Sequence, residues 1–315
     1  MRAKLPSMEK INYLGLDLTR WSAGRSTFLA IPEKGALLMN WAVTLGDGSV
    51  RDVIYWPAPG NPPLPPHKVH GGNPILFPFG GRSFDRGDIH FWRDPSGTRR
   101  AIPIHGIARQ GSYNVLTCDP RGFTAQFEPG TEAREAYPFD YEFRVTYLFE
   151  PLGLACELSL SNLGRDPIPW SPGHHFYFTL PWSEGSSRGD YLIRIPAGKR
   201  LKQDFKTGQL VPGPVLREEE SVANPDLIDT IHTELYGNEA VFGEKGRPGD
   251  IAVRIGTDRK PPAGATFVTW TATETTPYYC VEPWMGPPNA PENKLGLHWV
   301  EPGKTDRFTV GVRLR

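Results

Sequence analysis

The chain has 315 residues, 38% of them hydrophobic and 22% charged. Its 35 basic and 35 acidic residues cancel, and no basic stripe breaks the balance, so a nucleic-acid partner is not expected. No stretch reaches the roughly 18 apolar residues of a membrane span, and no apolar segment follows the N-terminal Met-Arg-Ala-Lys-Leu-Pro as a secretory signal requires.

A cytoplasmic protein without a membrane partner is therefore expected, as a monomer or homodimer. The three cysteines, Cys118, Cys156 and Cys280, are far apart, and no C-x-x-C occurs. That excludes a disulfide framework and a cysteine-based zinc site. Cys156 and Cys280 sit in apolar alternating segments and are expected as buried free thiols, which suits a reducing compartment.

Glycine (34) and proline (33) punctuate the chain without a repeat. The Pro-rich run at 57–66 predicts a rigid surface loop. Immediately after it, His67 and His70 are three apart with no third ligand nearby, so no metal is expected there. Apolar residues then alternate at Tyr141, Phe143, Val145, Tyr147 and Phe149, and again at Leu154, Cys156, Leu158 and Leu160. Pro151 and Gly153 between them predict a hairpin. The same period recurs at Tyr191–Ile195, Ile251–Ile255 and Phe308–Leu314. Residues 217–224 predict a loop and 225–234 a helical turn; other helical periodicity is scarce. Short alternating strands separated by turns imply an all-β fold, a sandwich or barrel. We expect a single domain over 1–315, two packed sheets leaving one polar face for a ligand.

Four segments carry polar groups beside glycine, proline or aromatics. In Ser171–Leu180, strand parity places His174, Phe176, Phe178 and Leu180 on one face and His175, Tyr177 and Thr179 on the other. The second face is the polar one, so His175 rather than His174 is the candidate imidazole. Glu282 ends an apolar strand and precedes Pro283 and Trp284, a setting that desolvates a carboxyl and raises its pKa towards that of a general base. His105 lies in His-Gly-Ile-Ala-Arg109, where Gly106 would let backbone approach a ligand. Arg82 follows Phe-Pro-Phe-Gly-Gly and either binds a ligand or pairs with Asp85 or Asp88. Asp226 and Asp229 are candidate helix caps. Tyr177 and Trp284 are either packing residues or candidate stacking surfaces for the apolar face of a ligand. No Walker loop, Gly-x-Gly-x-x-Gly or Gly-x-Ser-x-Gly occurs, so neither a nucleotide cofactor nor a serine-hydrolase elbow is indicated.

In this order, Asn73-Pro-Ile-Leu-Phe-Pro-Phe-Gly-Gly-Arg82, His105-Gly-Ile-Ala-Arg109, Gly173-His-His-Phe-Tyr-Phe178 and Val281-Glu-Pro283 resemble the aldose 1-epimerase (galactose mutarotase-like) family. Phe176 stands where the family usually has proline, and Ile107 where it has an aromatic. The resemblance implies a galactose mutarotase-like β-supersandwich and a cofactor-free, metal-free isomerase interconverting the anomers of a monosaccharide or sugar phosphate. It implies Glu282 as base and His175, as imidazolium, as acid, with His105, Arg82 and Asp229 orienting hydroxyls. Three alternatives remain at this stage. One is a non-catalytic carbohydrate-binding protein. Another is a hexose-6-phosphate 1-epimerase, for which Arg82 and Arg109 would hold the phosphate. The third is a glycan hydrolase or lyase pairing Glu282 with Asp229.

Overall fold

The computed structural model describes residues 6–13, 15–58, 60 and 64–315. The Pro-rich run at 57–66 lies partly outside the described residues. Two large antiparallel sheets carry the fold. The first has thirteen strands, running from Ser7–Tyr13 through Leu16–Ala23, Ser26–Ile31, Leu37–Thr44 and Val50–Ile54 to Phe176–Thr179. It continues through Tyr278–Trp284, Thr266–Trp270, Thr230–Leu235 and Ala197–Gln203 to Leu210–Pro212, with two-residue strands at Ile75–Leu76 and Gly173–His174 beside this path. The second sheet has nine strands, in the order Ser112–Asp119, Gly122–Glu128, Tyr141–Glu150, Gly153–Asn162, Thr305–Leu314, Ile251–Ile255, Glu239–Glu244, Tyr191–Arg194 and Glu219–Ser221.

The alternation of the sequence becomes the two faces of each strand. Phe143, Val145, Tyr147, Leu158 and Leu160 are fully buried between the sheets, as are Phe176, Phe178 and Val281. Aromatic pairs bridge the layers: Phe28 stacks on Phe149 with centroids 4.4 Å apart, Phe77 on Phe143 at 3.9 Å, and Phe178 meets Phe242 at 4.9 Å. Such contacts favour face-to-face packing beyond the area they bury. The hairpin forms with Glu150 opposite Gly153 and Pro151-Leu152 as its turn. Cys156 and Cys280 are buried and free.

Four expectations are corrected. Residues 217–224 are not all loop, because Glu219–Ser221 pairs with Leu192–Arg194 at the sheet edge. The helical turn in 225–234 is only a 3₁₀ segment, Pro225–Leu227, and Asn224 rather than an aspartate caps it. Asp229 then turns left-handed (φ 54°) and the β-branched Thr230, Ile231 and Thr233 continue as strand. An α-helix at Thr131–Ala136 had no periodic signal, being too short for one. Finally, Gly173–Thr179 is interrupted at His175, although the parity of its side chains survives the break. Among the described residues, no helix is long and apolar enough to cross a membrane.

Candidate active site

The strand Tyr278–Trp284 organises the site. Tyr279 and Val281 face the core between the sheets, so Tyr278, Cys280, Glu282 and Trp284 face outward. Its neighbours align there: Val268 is opposite Glu282, and both Tyr177 and Trp270 are opposite Cys280. The outer face holds a cavity of about 410 Å³, a size usual for small-molecule sites. All seven residues singled out from the sequence line it: Arg82, His105, His175, Tyr177, Asp229, Glu282 and Trp284.

At its floor, His175 Nε2 lies 3.4 Å from Glu282 Oε2. Both side chains are nearly sealed, at 9% and 2% exposure. Neither Glu282 Oε2 nor His175 Nδ1 has a hydrogen-bond partner within the protein. Burial raises the Glu282 carboxyl well above the usual range, and the Asp229 charge adds to this. Burial lowers the His175 imidazole to about 3, helped by Arg109 and His70. Burial thus disfavours a lone imidazolium and a lone carboxylate alike, and favours a neutral pair with its proton on Glu282.

His175 is held from both sides. Its ring stacks on Tyr177 (4.6 Å, 11°), and the His105 ring meets it edge-on at 5.2 Å. Its backbone N–H donates to Asn73 Oδ1 at 3.0 Å. The Asn73 amide in turn donates to Tyr147 Oη (2.7 Å) and to His174 Nδ1 (3.0 Å). His174 itself is fully buried and stacks on Phe176 and Phe308. Gly173 is needed because a Cβ there would come within 2.5 Å of the Trp284 indole.

The cis Phe77–Pro78 segment and the turn at Pro103–Ile107 bring His105 and Arg82 together. Gly81 N–H donates to His105 Nδ1 (3.2 Å), so the neutral ring carries its proton on Nε2. Burial and the charges of His175, Arg109 and Arg82 hold the His105 pKa well below its usual value. Gly106 is needed by the chain itself. Its φ is +77°, and an added Cβ would lie 1.9 Å from the Phe77 carbonyl oxygen, where Ile107 N–H donates. Arg82 pairs with neither suggested aspartate. Asp85 binds Arg93 and Arg99, and Asp88 binds Arg99, whereas the Arg82 guanidinium lies over Phe205 at 4.2 Å. Burial raises the Asp229 carboxyl, partly offset by Arg82 and Lys202. Both His105 (φ 67°) and Asp229 (φ 54°) hold left-handed backbone, a strain that concentrates at functional sites.

The sequence profile of the aldose 1-epimerase family matches residues 17–296. The chain belongs to the aldose 1-epimerase family. Its relatives include the plasmid-encoded protein LacX of Lactococcus lactis subsp. lactis, 22% identical over 236 residues, which are 70% of this chain and 76% of LacX. A galactose mutarotase-like protein from Clostridium acetobutylicum shares the fold with a TM-score of 0.76 at 20% identity, covering 100% of this chain and 99% of that one. Protein Slr1438 of Synechocystis sp. PCC 6803 does so at 0.73 and 24%, covering 100% and 97%. A galactose 1-epimerase from Lactobacillus acidophilus NCFM matches at 0.64 and 15%, covering 99% of each chain.

The cleft is also walled by Arg109, expected from the sequence only as a phosphate ligand in the sugar-phosphate alternative, and by His70 and Trp270, to which the sequence gave no role in it. Arg109 is mostly buried among histidines, and its Nε has no partner. His70 stacks on Tyr177 at 6.0 Å, and Trp270 meets His175 edge-on at 5.8 Å. Position in a fixed motif was the only available signal for Arg109; His70 had none beyond its residue type. Asn289 Oδ1 accepts Phe84 N–H (2.8 Å), tying down the segment that carries Arg82. Among the described residues, His175, Cys280 and Glu282 form one group with metal-ligating atoms all within 4.8 Å of one another. His67 and His70 belong to no such group.

Proposed function

We propose that the protein is an aldose 1-epimerase acting on a hexose or related sugar, with residues 1–315 as one domain. The observation that carries this reading is the buried His175–Glu282 contact of 3.4 Å on the floor of a sugar-sized cavity. Anomer exchange moves one proton from O1 to O5 and another back, so the pair needs a single proton in all. Burial favours that proton on Glu282. Passing it to His175 leaves a carboxylate base and an imidazolium acid side by side. Glu282 then takes the O1 proton as C1=O1 forms, the C1–O5 bond breaks, and O5 receives the His175 proton. The pair is neutral again while the sugar is open, which is the form burial favours. Rotation about C1–C2 and reversal of both transfers complete the exchange. Arg82, His105 through Nε2–H, and Asp229 orient hydroxyls, and Tyr177 and Trp284 supply apolar surface. No cofactor is needed for these steps.

One observation favours a second reading, a sugar phosphate such as a hexose 6-phosphate. Arg109 has no ion pair among the described residues, and Lys68 and Arg82 line the same cavity. A buried guanidinium without a counter-charge suits an anionic ligand. The test is anomer exchange by NMR for glucose, galactose and glucose 6-phosphate, using wild type and Glu282→Gln. Acceleration by wild type, lost by more than about a hundredfold in the variant with sugar binding retained, is expected. A folded wild type that accelerates none of them sinks the reading in favour of a carbohydrate-binding protein or a glycan hydrolase or lyase.

A further inference from the structure

We propose that Phe205, at the tip of a hairpin, is a positioning residue that fixes the Arg82 guanidinium for the ligand and so sets the affinity of the cleft. This rests on the epimerase reading for what Arg82 contacts. The hairpin is formed by Ala197–Gln203 and Leu210–Pro212, with Gln203 opposite Leu210. It lies outside the four segments that carry the family resemblance. Its tip is internally fixed. Asp204 N–H donates to the Gln209 carbonyl (2.9 Å) and Gly208 N–H to the Asp204 carbonyl (2.7 Å). The Asp204 carboxylate accepts Lys206 N–H (2.8 Å) and the Thr207 hydroxyl (3.0 Å). The tip is also anchored to the segment that carries Arg82. Gln203 Nε2 donates to the Arg82 carbonyl (3.1 Å) and Asn289 Nδ2 to the Gly208 carbonyl (3.2 Å). Gly208, at φ +76°, sits so close to Phe84 that an added Cβ would come within 2.3 Å of its ring. On the other wall, Lys202 Nζ donates to the carbonyls of Asp226 and Ile228, just before Asp229.

This frame delivers one side chain to the cleft. The Phe205 ring is 4.2 Å from the Arg82 guanidinium, and both residues line the cavity. Among the described residues that guanidinium makes no ion pair and no hydrogen bond, because Arg93 and Arg99 hold Asp85 and Asp88. The ring face is what restrains it. A guanidinium resting on an aromatic face keeps its N–H groups at its own edge, where hydroxyls can accept from them. Without the ring, the long Arg82 side chain would spread over several rotamers, and the ligand would bear the cost of ordering it. Arg82 orients hydroxyls that take no part in bond breaking. Its fixing therefore acts on the bound sugar and the transition state alike, and shows in KM rather than kcat.

The test compares wild type, Phe205→Leu and Phe205→Tyr by anomer exchange of glucose, galactose and glucose 6-phosphate, and by the NMR signal of the Arg82 Nε–H. Phe205→Leu keeps apolar bulk but has no aromatic face. It should raise KM about fivefold with kcat unchanged, whereas Phe205→Tyr should match wild type. Neither should alter the melting temperature, since the ring is 47% exposed and not part of the core. Equal KM in Phe205→Leu and Phe205→Tyr would overturn the positioning role and leave the epimerase reading standing, because turnover would be intact. A folded wild type that turns over no sugar would remove the epimerase reading, and the Nε–H signal then decides the positioning by itself. A ring-current shift kept in Phe205→Tyr and lost in Phe205→Leu would uphold it. The same signal position in all three proteins would overturn it.

Discussion

His175 Nε2 and Glu282 Oε2 approach to 3.4 Å in a place where neither charge is well solvated. Burial pushes the two pKa values apart, the imidazole down to about 3 and the carboxyl well above its usual range. Across the interval between them the pair holds one proton. Below it the pair holds two and has no base; above it the pair holds none and has no acid. The kcat/KM for anomer exchange should therefore fall towards pH 3 and fall again only above the raised pKa of Glu282, with no step near the ordinary histidine value. An exposed histidine would instead give an inflection near 6.5. Finding that inflection would refute the shared proton.

Asn73 connects this pair to the core. It is fully buried, and its three side-chain hydrogen bonds reach the His175 backbone, the His174 ring and the Tyr147 hydroxyl. Asn73→Ala strands all three partners away from water, at about 1–3 kcal/mol of stability. If it positions His175, kcat should fall about tenfold or more with little change in KM, because a shift well under 1 Å spoils proton transfer. Thermal melting and steady-state kinetics together check this. Lost stability with unaltered kcat would assign Asn73 to the core alone.

The strands were legible because side-chain parity survives packing: Tyr141–Phe149 and Leu154–Leu160 bury the faces that alternation assigned to the core. Parity also separated His175 from His174 across the break at His175, since each ring follows its own Cα–Cβ direction. Other features were not legible, for physical reasons. The protonation state depends on which groups converge from distant strands. Arg82 and its aspartates are close in sequence, but Arg93 and Arg99 win the carboxylates once the short strands Phe91–Arg93 and Arg99–Ala101 pair. The edge-on contact of His70 with Tyr278 joins segments about two hundred residues apart, which no local pattern reports.

Gly106, expected from its motif to let backbone approach a ligand, also packs against the chain itself. Its positive φ and the Phe77 carbonyl 1.9 Å from a would-be Cβ leave no room for alanine. Gly106→Ala should cost more than about 2 kcal/mol of stability, and should weaken sugar binding by displacing His105. The variant's melting temperature decides the matter. A wild-type melting temperature would mean that the turn accepts a side chain by moving.

Acid should destabilise the protein well before its carboxylates titrate. His232 and His174 are buried, and burial lowers both to about 3 from an ordinary 6.5, with Arg200 and Lys202 adding to the effect at His232. The unfolded chain binds protons at these sites below pH 6.5, and the native protein does not until about pH 3. Native stability from this source is thus complete above pH 6.5 and is lost as pH falls towards 3, by about 1.4 kcal/mol per pH unit for each histidine. His232 packs away from the cleft, with Nε2 3.1 Å from Thr269 Oγ1, and Thr269 Oγ1 donates to the Leu227 carbonyl, so Nε2–H is the donor between them. A glutamine amide donates the same hydrogen bond without titrating. His232→Gln should therefore lower stability at pH 7.5 by a modest amount, yet narrow the gap between melting temperatures at pH 7.5 and pH 4.5. An unchanged gap would mean that His232 gains its proton in the native state near the ordinary value, and that burial is not what keeps it neutral.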